Sequence, residues 1–227
     1  MRPKITKFPI NFESLIHLTK LVYKNKSPLR IFHNFFLKSV VIEGKTIDLG
    51  SGNHSSYYKF LNLKDAKIYS ADQNIQNKDN HYLIDLEKKL DLSNEDFDTV
   101  ILFNVIEHIE NYKLLLTEIN RILKKNGKLE LFVPFMFRYH EDPKDIFRPT
   151  HYYIASLLEK AGFEVNTFLV GVGPIKIISE IILKYLKINF LRTFFLIFLL
   201  LIDRIINFFS KDHINYYCGI HCSCVKK

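Results

Sequence analysis

The chain lacks internal repeats and Gly/Ser-rich or Pro-rich stretches; its 8 glycines and 7 prolines are spread over 227 residues. Without a linker, and at a length that suits one sizeable core, a single main domain is expected. Disorder is excluded, because 48% of the residues are apolar, with 20 Phe and 12 Tyr. Met1 to Ile10 carries three basic residues and two prolines with no apolar segment behind them. No signal peptide is therefore read, and a cytoplasmic location is expected. Acidic residues are in deficit, 24 against 32 Lys and Arg, for a net charge of +8. Such a surface suits an anionic membrane leaflet or anionic substrates such as nucleotide- or pyrophosphate-linked sugars. Nucleic acid is not the expected partner: the lysines are scattered, and no basic helix or stacking-aromatic module is present. Cysteine is scarce, and all three lie in Cys218-Gly-Ile-His-Cys222-Ser-Cys224. In a strand, positions 218, 220, 222 and 224 share a face, so core packing is preferred over a metal site, and no metal is expected.

What is present begins with Lys45-Thr-Ile-Asp-Leu-Gly-Ser-Gly-Asn53. A buried strand, Thr46 to Leu49, runs into an acidic residue and a Gly-x-Gly turn, the usual way a nucleotide-type cofactor is received at the end of a parallel strand. A second strand, Ala66 to Ala71, ends on Asp72. An acid about 20 residues beyond the glycine turn suits the two hydroxyls of a ribose, since a carboxylate only accepts. Further strands are read at His81 to Ile84, Phe97 to Phe103, Lys128 to Val133, Phe163 to Val170 and over the C-terminal residues. Helical segments separate most of them, the pattern of a doubly wound α/β sheet.

Asp-x-Gly-x-Gly, an acid after the second strand, Asp85-Leu86 after the third and Asn104-Val-Ile-Glu-His-Ile after the fourth together resemble the class I S-adenosylmethionine-dependent methyltransferases. The resemblance covers roughly Lys45 to Val170 and the C-terminal strand. It implies a Rossmann-like, doubly wound seven-stranded sheet, six strands parallel and the last antiparallel, with S-adenosyl-L-methionine as cofactor. It implies further that Asp48, Gly50, Ser51 and Gly52 cradle the methionine part, with Asn53 where the family often has a third glycine. Asp72, with Gln73 beside it, would hold the ribose; Asp85 and Leu86 would border the adenine; Asn104 would lie near the sulfonium. The domain is expected to comprise residues 45–170 and 213–227.

Residues 1–44 read as a helical cover, with Ser27 as N-cap and Pro28 opening a helix. Residues 171–212 form an apolar helical insertion before the last strand. Lys176, Glu180, Lys184 and Lys187 recur at helical spacing, and Arg192 and Asp203 again share a face. Between these lies the uncharged run Phe194 to Ile202, whose nine residues fall short of the about 20 that a bilayer core requires. The expectation is a hairpin in the membrane interface with its lysines toward headgroups, making the protein peripheral on the inner membrane. A pair capping the sheet or forming a homodimer interface stays open.

Methyl transfer mainly requires alignment of acceptor and methyl, helped by a base for a hydroxyl acceptor. Candidates follow the fourth and fifth strands: Glu107-His108, and His140 and Arg148 within Arg138-Tyr-His-Glu-Asp-Pro-Lys-Asp-Ile-Phe-Arg148. That segment, through Pro149-Thr150, resembles one in methyltransferases that accompany bacterial cell-surface glycan synthesis. His140 is read as base and Arg148 as a substrate or structural clamp, while pairing of Arg148 with Asp142 or Asp145 is the plainer alternative. His108 is read as catalytic or simply packed. The expected activity is O-methylation of a sugar in a lipid-linked or nucleotide-linked glycan precursor. A lipid or quinone acceptor, and a non-catalytic module holding a partner at the membrane, are the alternatives. A nicotinamide-dependent oxidoreductase is disfavoured, since the third fingerprint glycine and a suitably placed Tyr-x-x-x-Lys are missing.

Overall fold

The computed structural model describes residues 2–6, 8, 11–24, 26–52, 56–74, 80–141, 144–209 and 215–227. Eight strands form one sheet: β1 (Lys4–Ile5), β2 (Val41–Leu49), β3 (Asn62–Asp72), β4 (His81–Leu83), β5 (Phe97–Phe103), β6 (Leu123–Pro134), β7 (Phe163–Val172) and β8 (Tyr217–Lys226). Their order is β1-β7-β8-β6-β5-β2-β3-β4. β8 runs antiparallel to both neighbours and every other pair is parallel.

The expected seven strands are thus eight. The addition is β1, which pairs with the outer edge of β7, Lys4 opposite Phe168 and Ile5 opposite Leu169. Thr6 fastens it, its backbone N–H and its hydroxyl both donating to the Leu169 carbonyl at 3.0 and 2.8 Å. A short added strand covers what would otherwise be an open sheet edge. Several strands are also longer than the sequence indicated: β2 begins at Val41, β3 at Asn62 and β6 at Leu123.

Helices cover both faces. On one, α3 (Tyr112–Ile122) and α4 (His151–Lys160) contribute Leu115, Ile119, Ile154 and Leu158 to a cluster with Ile47, Val100, Leu102 and Leu131. On the other, α1 (Phe12–Tyr23), α2 (Pro28–Leu37), α5 (Pro174–Tyr185) and α6 (Asn189–Phe209) bring Leu18, Phe32, Leu183 and Leu196 against Ile101, Phe103 and Phe132. Alternate residues of β5 serve opposite layers, as the two-residue period of a strand dictates, and its near-continuous apolar run follows from burial on both faces. Helix starts follow local chemistry: Ser27 accepts from the Arg30 N–H with Pro28 at the first position, and Thr150 caps α4 by accepting from the Tyr153 N–H.

Two expectations about the C-terminal third are corrected. All three cysteines are free and buried, but they do not share a face: Cys222 and Cys224 pack in the first layer and Cys218 in the second, with Phe32 and Val170. Strand parity fails beside Gly171, whose φ of +65° lies in the left-handed region. A Cβ there would come within 3.0 Å of the Cys218 side chain, so the backbone turns where no side chain obstructs it.

The α5–α6 hairpin is also turned over relative to the expected one. Lys176 is 7% exposed, and it pairs with buried Asp203 and donates to the Val172 carbonyl at 2.7 Å. Glu180 is buried too. Lys176, Glu180 and Asp203 point into the protein because they find partners there, whereas a lone buried charge would be costly; Lys184 and Lys187 of the same expected face stay exposed. Ile178, Ile181, Phe190, Phe194, Phe198, Leu201 and Ile205 are exposed instead. Among the described residues, no helix is long and apolar enough to cross a membrane.

Candidate functional site

β2 and β5 lie side by side, Asp48 opposite Ile101. The chain leaves β2 toward β3 on one side and leaves β5 toward β6 on the other, so the order reverses between them. Ligands of open α/β sheets bind beyond the carboxyl ends of the strands at such a point. Gly50 follows β2 there with φ +72°, and its N–H donates to the Ala71 carbonyl at 2.7 Å. A Cβ on Gly50 would sit 2.5 Å from Val105, so glycine is required for both conformation and space. Asn104 follows β5 at φ +55°, a conformation Asn tolerates better than most residues, and donates its N–H to the Phe132 carbonyl at 3.0 Å.

A cavity of about 420 Å³ opens over these turns, lined by Gly50, Asp72, Gln73, Asp85, Leu86, Asn104 and His108, among others. Six of the ten expected cofactor residues therefore converge on one hollow. Asp72 accepts backbone N–H bonds from Gly52 at 3.2 Å and Asn74 at 3.0 Å, which fixes its carboxylate. Asp85 accepts from the Glu87 N–H and pairs with Lys88, which holds its carboxyl below the usual range. Asp48 does not line the cavity; it is buried and accepts from the hydroxyls of Tyr57 and Tyr58 at 2.5 and 2.7 Å. Ser51 and Gly52 do not line it either. Space remains at Gly52, where a Cβ would meet nothing within 4 Å. Asn53 lies outside the described residues.

A second cavity, of about 410 Å³, meets the first at Asn104. Its lining includes His33 and Arg30 from α2, Phe132 from β6, Arg138 and His140 from the following loop, and Glu180 and Lys184 from α5. Burial pushes the Glu180 carboxyl up to about 7, although the Leu29 N–H donates to it at 2.8 Å.

Two of the three expected catalytic residues come together where the cavities adjoin, and the third stands behind them. The His108 and His140 rings lie 5.2 Å apart, His108 on the first cavity and His140 on the second. Burial lowers the pKa of His140, with a smaller contribution from His108. Arg148 lines neither cavity. It grips Asp145 through Nε at 3.0 Å and through Nη2, while Asp145 accepts the His140 N–H at 3.0 Å. Arg148 is thus the structural clamp of this loop. Glu107, fully buried beside it, has no hydrogen bond on either carboxylate oxygen among the described residues.

A chain of buried polar groups that the sequence reading missed ends on the second cavity. Glu130 of β6 accepts from His221 Nε2 and from the Ser223 hydroxyl, both at 2.7 Å. His221 Nδ1 lies 3.1 Å from His33 Nε2. With the carboxylate as acceptor, His221 carries its proton on Nε2, so His33 donates from Nε2 and keeps a lone pair on Nδ1. His33 stacks on Phe132, ring centroids 3.7 Å apart. Burial, then His221, holds its pKa well below the usual value, so it is neutral at pH 7. The available signal was an ionisable residue in each of two strands otherwise read as buried, Glu130 and His221.

Fold and first cavity define an S-adenosylmethionine-type α/β domain, and comparison with known proteins agrees. Residues 47–131, from β2 through most of β6, match the family described as a methyltransferase domain. They contain the glycine turn, Asp72, Asp85 and Asn104, and the cofactor of this domain is S-adenosylmethionine. No curated protein matches the chain in sequence. Among solved structures, a chain of the complex between the Haloferax volcanii Trm112 methyltransferase activator and a methyltransferase aligns at TM-score 0.57 and 13% identity, covering 96% of this chain and 99% of that one. An S-adenosylmethionine-dependent methyltransferase of Thermotoga maritima aligns at 0.53 and 17%, covering 95% and 98%. Haemonchus contortus phosphoethanolamine N-methyltransferase 2, solved with S-adenosylhomocysteine, aligns at 0.51 and 14%, covering 92% of this chain and 52% of that one. At these identities the likeness establishes the fold.

Burial raises the Glu107 pKa from 4.5 to about 8. The folded protein keeps this proton where the unfolded chain has lost it, so stability falls as pH rises from 4.5 to about 8, by roughly 1.4 kcal/mol per unit, and levels off above. Glu107→Gln is expected to remove that slope. Urea unfolding at pH 5 to 9 should show the variant gaining on the wild type as pH rises; parallel pH profiles would refute the assignment.

Proposed function

We propose that this protein is an S-adenosylmethionine-dependent methyltransferase that methylates a hydroxyl held in the second cavity. The observation that carries the reading is that two cavities, one over the glycine turn and one lined by buried histidine, meet at Asn104. The residues present fit the cofactor: a glycine turn with room at Gly52, carboxylates at Asp72 and Asp85, and apolar Leu86 beside them. Asp72 is assigned to the ribose, Asp85 and Leu86 to the adenine, and Gly50 and Asn104 to the methionine end. Bound, S-adenosylmethionine supplies an electrophilic methyl on a sulfonium and leaves as a neutral thioether.

The protein's part is to align the acceptor and take its proton. His33 is assigned as the base. His33 Nδ1 would receive the proton of the acceptor hydroxyl as that oxygen takes up the methyl group. Glu130, through His221, orients the His33 ring and fixes its tautomer with the lone pair on Nδ1, the way a carboxylate positions a histidine base. His140 lines the same cavity, but among the described residues no carboxylate-backed chain stands behind its ring.

The acceptor is assigned to a sugar hydroxyl of a cell-surface glycan precursor, on the resemblance of the segment from His140 to Thr150. The exposed apolar face of α5 and α6 supports peripheral contact with an anionic membrane. Phe190, Phe194, Phe198, Leu201 and Ile205 recur along one side of α6, with exposed Lys187 and Arg204 on the same hairpin and a net charge of +8 overall. Apolar side chains would enter the acyl boundary while the cations meet headgroups.

Calorimetric titration with S-adenosylhomocysteine is expected to give micromolar affinity, lost in Asp72→Ala with unchanged circular dichroism; equal affinity in the variant removes the ribose assignment. Nitrogen-15 spectra of the imidazoles should show His33 and His221 as Nε2–H tautomers, with His33 neutral at pH 7, and a charged His33 there would sink its role as base. In sedimentation with anionic phospholipid vesicles the wild type is expected in the pellet and the Phe194→Ser, Phe198→Ser double variant in the supernatant. Co-pelleting of the double variant at the wild-type level would overturn the membrane face.

A further inference from the structure

The second cavity has an excess of cations that methyl transfer to a hydroxyl does not require. Lys26, Arg30, Arg138, Lys184 and Arg192 line it, contributed by four separate parts of the chain: the segment before α2, α2 itself, the loop after β6, and the α5–α6 hairpin. Lys26, Arg30, Arg138 and Lys184 form no ion pair among the described residues, although lysines elsewhere, such as Lys45, Lys128 and Lys144, are matched to carboxylates. The lone acid in the lining, Glu180, is 6% exposed and already accepts the Leu29 N–H. Burial keeps it protonated up to about 7, so below that pH it offers no counter-charge. Lys26 shows the resulting crowding: burial, then Arg30, Lys59 and Lys24, all depress its pKa. Unmatched cations gathered around one hollow repel each other and are stabilised when a multiply charged anion enters.

We propose that the acceptor bears a diphosphate, bound in this cavity by Lys26, Arg30, Arg138, Lys184 and Arg192. A single carboxylate would leave most of these cations uncompensated. A diphosphate presents several charged oxygens, and guanidinium groups can meet them with paired N–H bonds. The N-terminus of α2, capped by Ser27, opens on the same cavity and adds its partial positive charge. The assignment rests on reading this cavity as the acceptor site. It narrows the acceptor to a sugar joined to a nucleoside diphosphate or to a lipid diphosphate, which share the same charged group. The apolar outer side of the neighbouring hairpin is compatible with the second source.

The test is binding of inorganic pyrophosphate, uridine diphosphate glucose and phosphatidylcholine vesicles doped with a polyprenyl diphosphate, each measured with and without saturating S-adenosylhomocysteine. At low salt, pyrophosphate is expected to bind with a Kd below millimolar and to weaken steeply as salt is raised. Arg30→Gln with Lys184→Gln should weaken it on the order of tenfold per cation removed, while the Kd for S-adenosylhomocysteine stays at the wild-type value. Arg138→Gln, in a different part of the chain, gives the same readout should the double variant fold poorly. Tighter binding of uridine diphosphate glucose, or of doped over undoped vesicles, identifies which source carries the diphosphate. Absence of binding by all three probes, or binding indifferent to these substitutions, overturns the proposal. Failure of S-adenosylhomocysteine alone to bind would instead count against the methyltransferase reading and leave the pyrophosphate measurement standing.

Discussion

The parallel pairing of β2 with β5 is the constraint on which the rest of the structure depends. Because neighbouring connections leave these two strands in opposite directions, a gap opens at their carboxyl ends, where the first cavity lies. Gly50 and Asn104 stand at its two sides in left-handed conformations. Each directs its N–H to the strand beyond, Gly50 to the Ala71 carbonyl of β3 and Asn104 to the Phe132 carbonyl of β6. Those bonds turn the chain away from the sheet sharply enough to leave a cavity on each side of Asn104. Van der Waals contact at Gly50 is close enough that a single methyl would collide with Val105, so the turn is fixed by packing as well as by φ.

Around that gap the two faces of the sheet have different tasks. The face of α3 and α4 is an apolar layer. The face of α1, α2, α5 and α6 is apolar near the sheet but carries polar groups that are paired or aimed into the second cavity. Glu130, His221 and His33 cross from the sheet to α2 within this layer, with Phe132 and Phe103 packed about the rings. Burial in such surroundings strengthens each hydrogen bond and leaves a single tautomer pattern in which Glu130 is the acceptor. The Lys176–Asp203 pair performs a comparable structural task for the hairpin, tying α5 to α6 where an unpaired charge would be expensive. With Lys176, Glu180 and Asp203 turned inward, the hairpin leaves its phenylalanines outside beside Lys184, Lys187 and Arg204.

Local rules carried the sequence reading far at the first cavity. The Gly-x-Gly turn, Asp72, Asp85-Leu86 and Asn104 were legible because each follows a buried strand at a spacing set by the chain itself. The same holds for Ser27 and Pro28 at a helix start, where the capping partner Arg30 is three residues away. Legibility ended where a residue's neighbours come from distant parts of the chain. Glu130 and His221 are 91 residues apart and His33 lies 188 residues from His221, so no spacing rule could link them. Parity along β8 misassigned Cys218 because the reversal beside it is caused by Gly171 of another strand.

By itself, then, the sequence determined the alternation of strand and helix, the acidic and glycine positions at the strand ends, and the amphipathic character of the hairpin, since all of these follow from local periodicity and backbone preference. Tertiary structure decided which way the hairpin faces, that a short N-terminal strand extends the sheet to eight, and that Arg148 clamps a loop through Asp145. It also gathered cations from four parts of the chain around one cavity. Those outcomes depend on which buried charges find partners and which surfaces are already covered, and both are properties of the assembled layers.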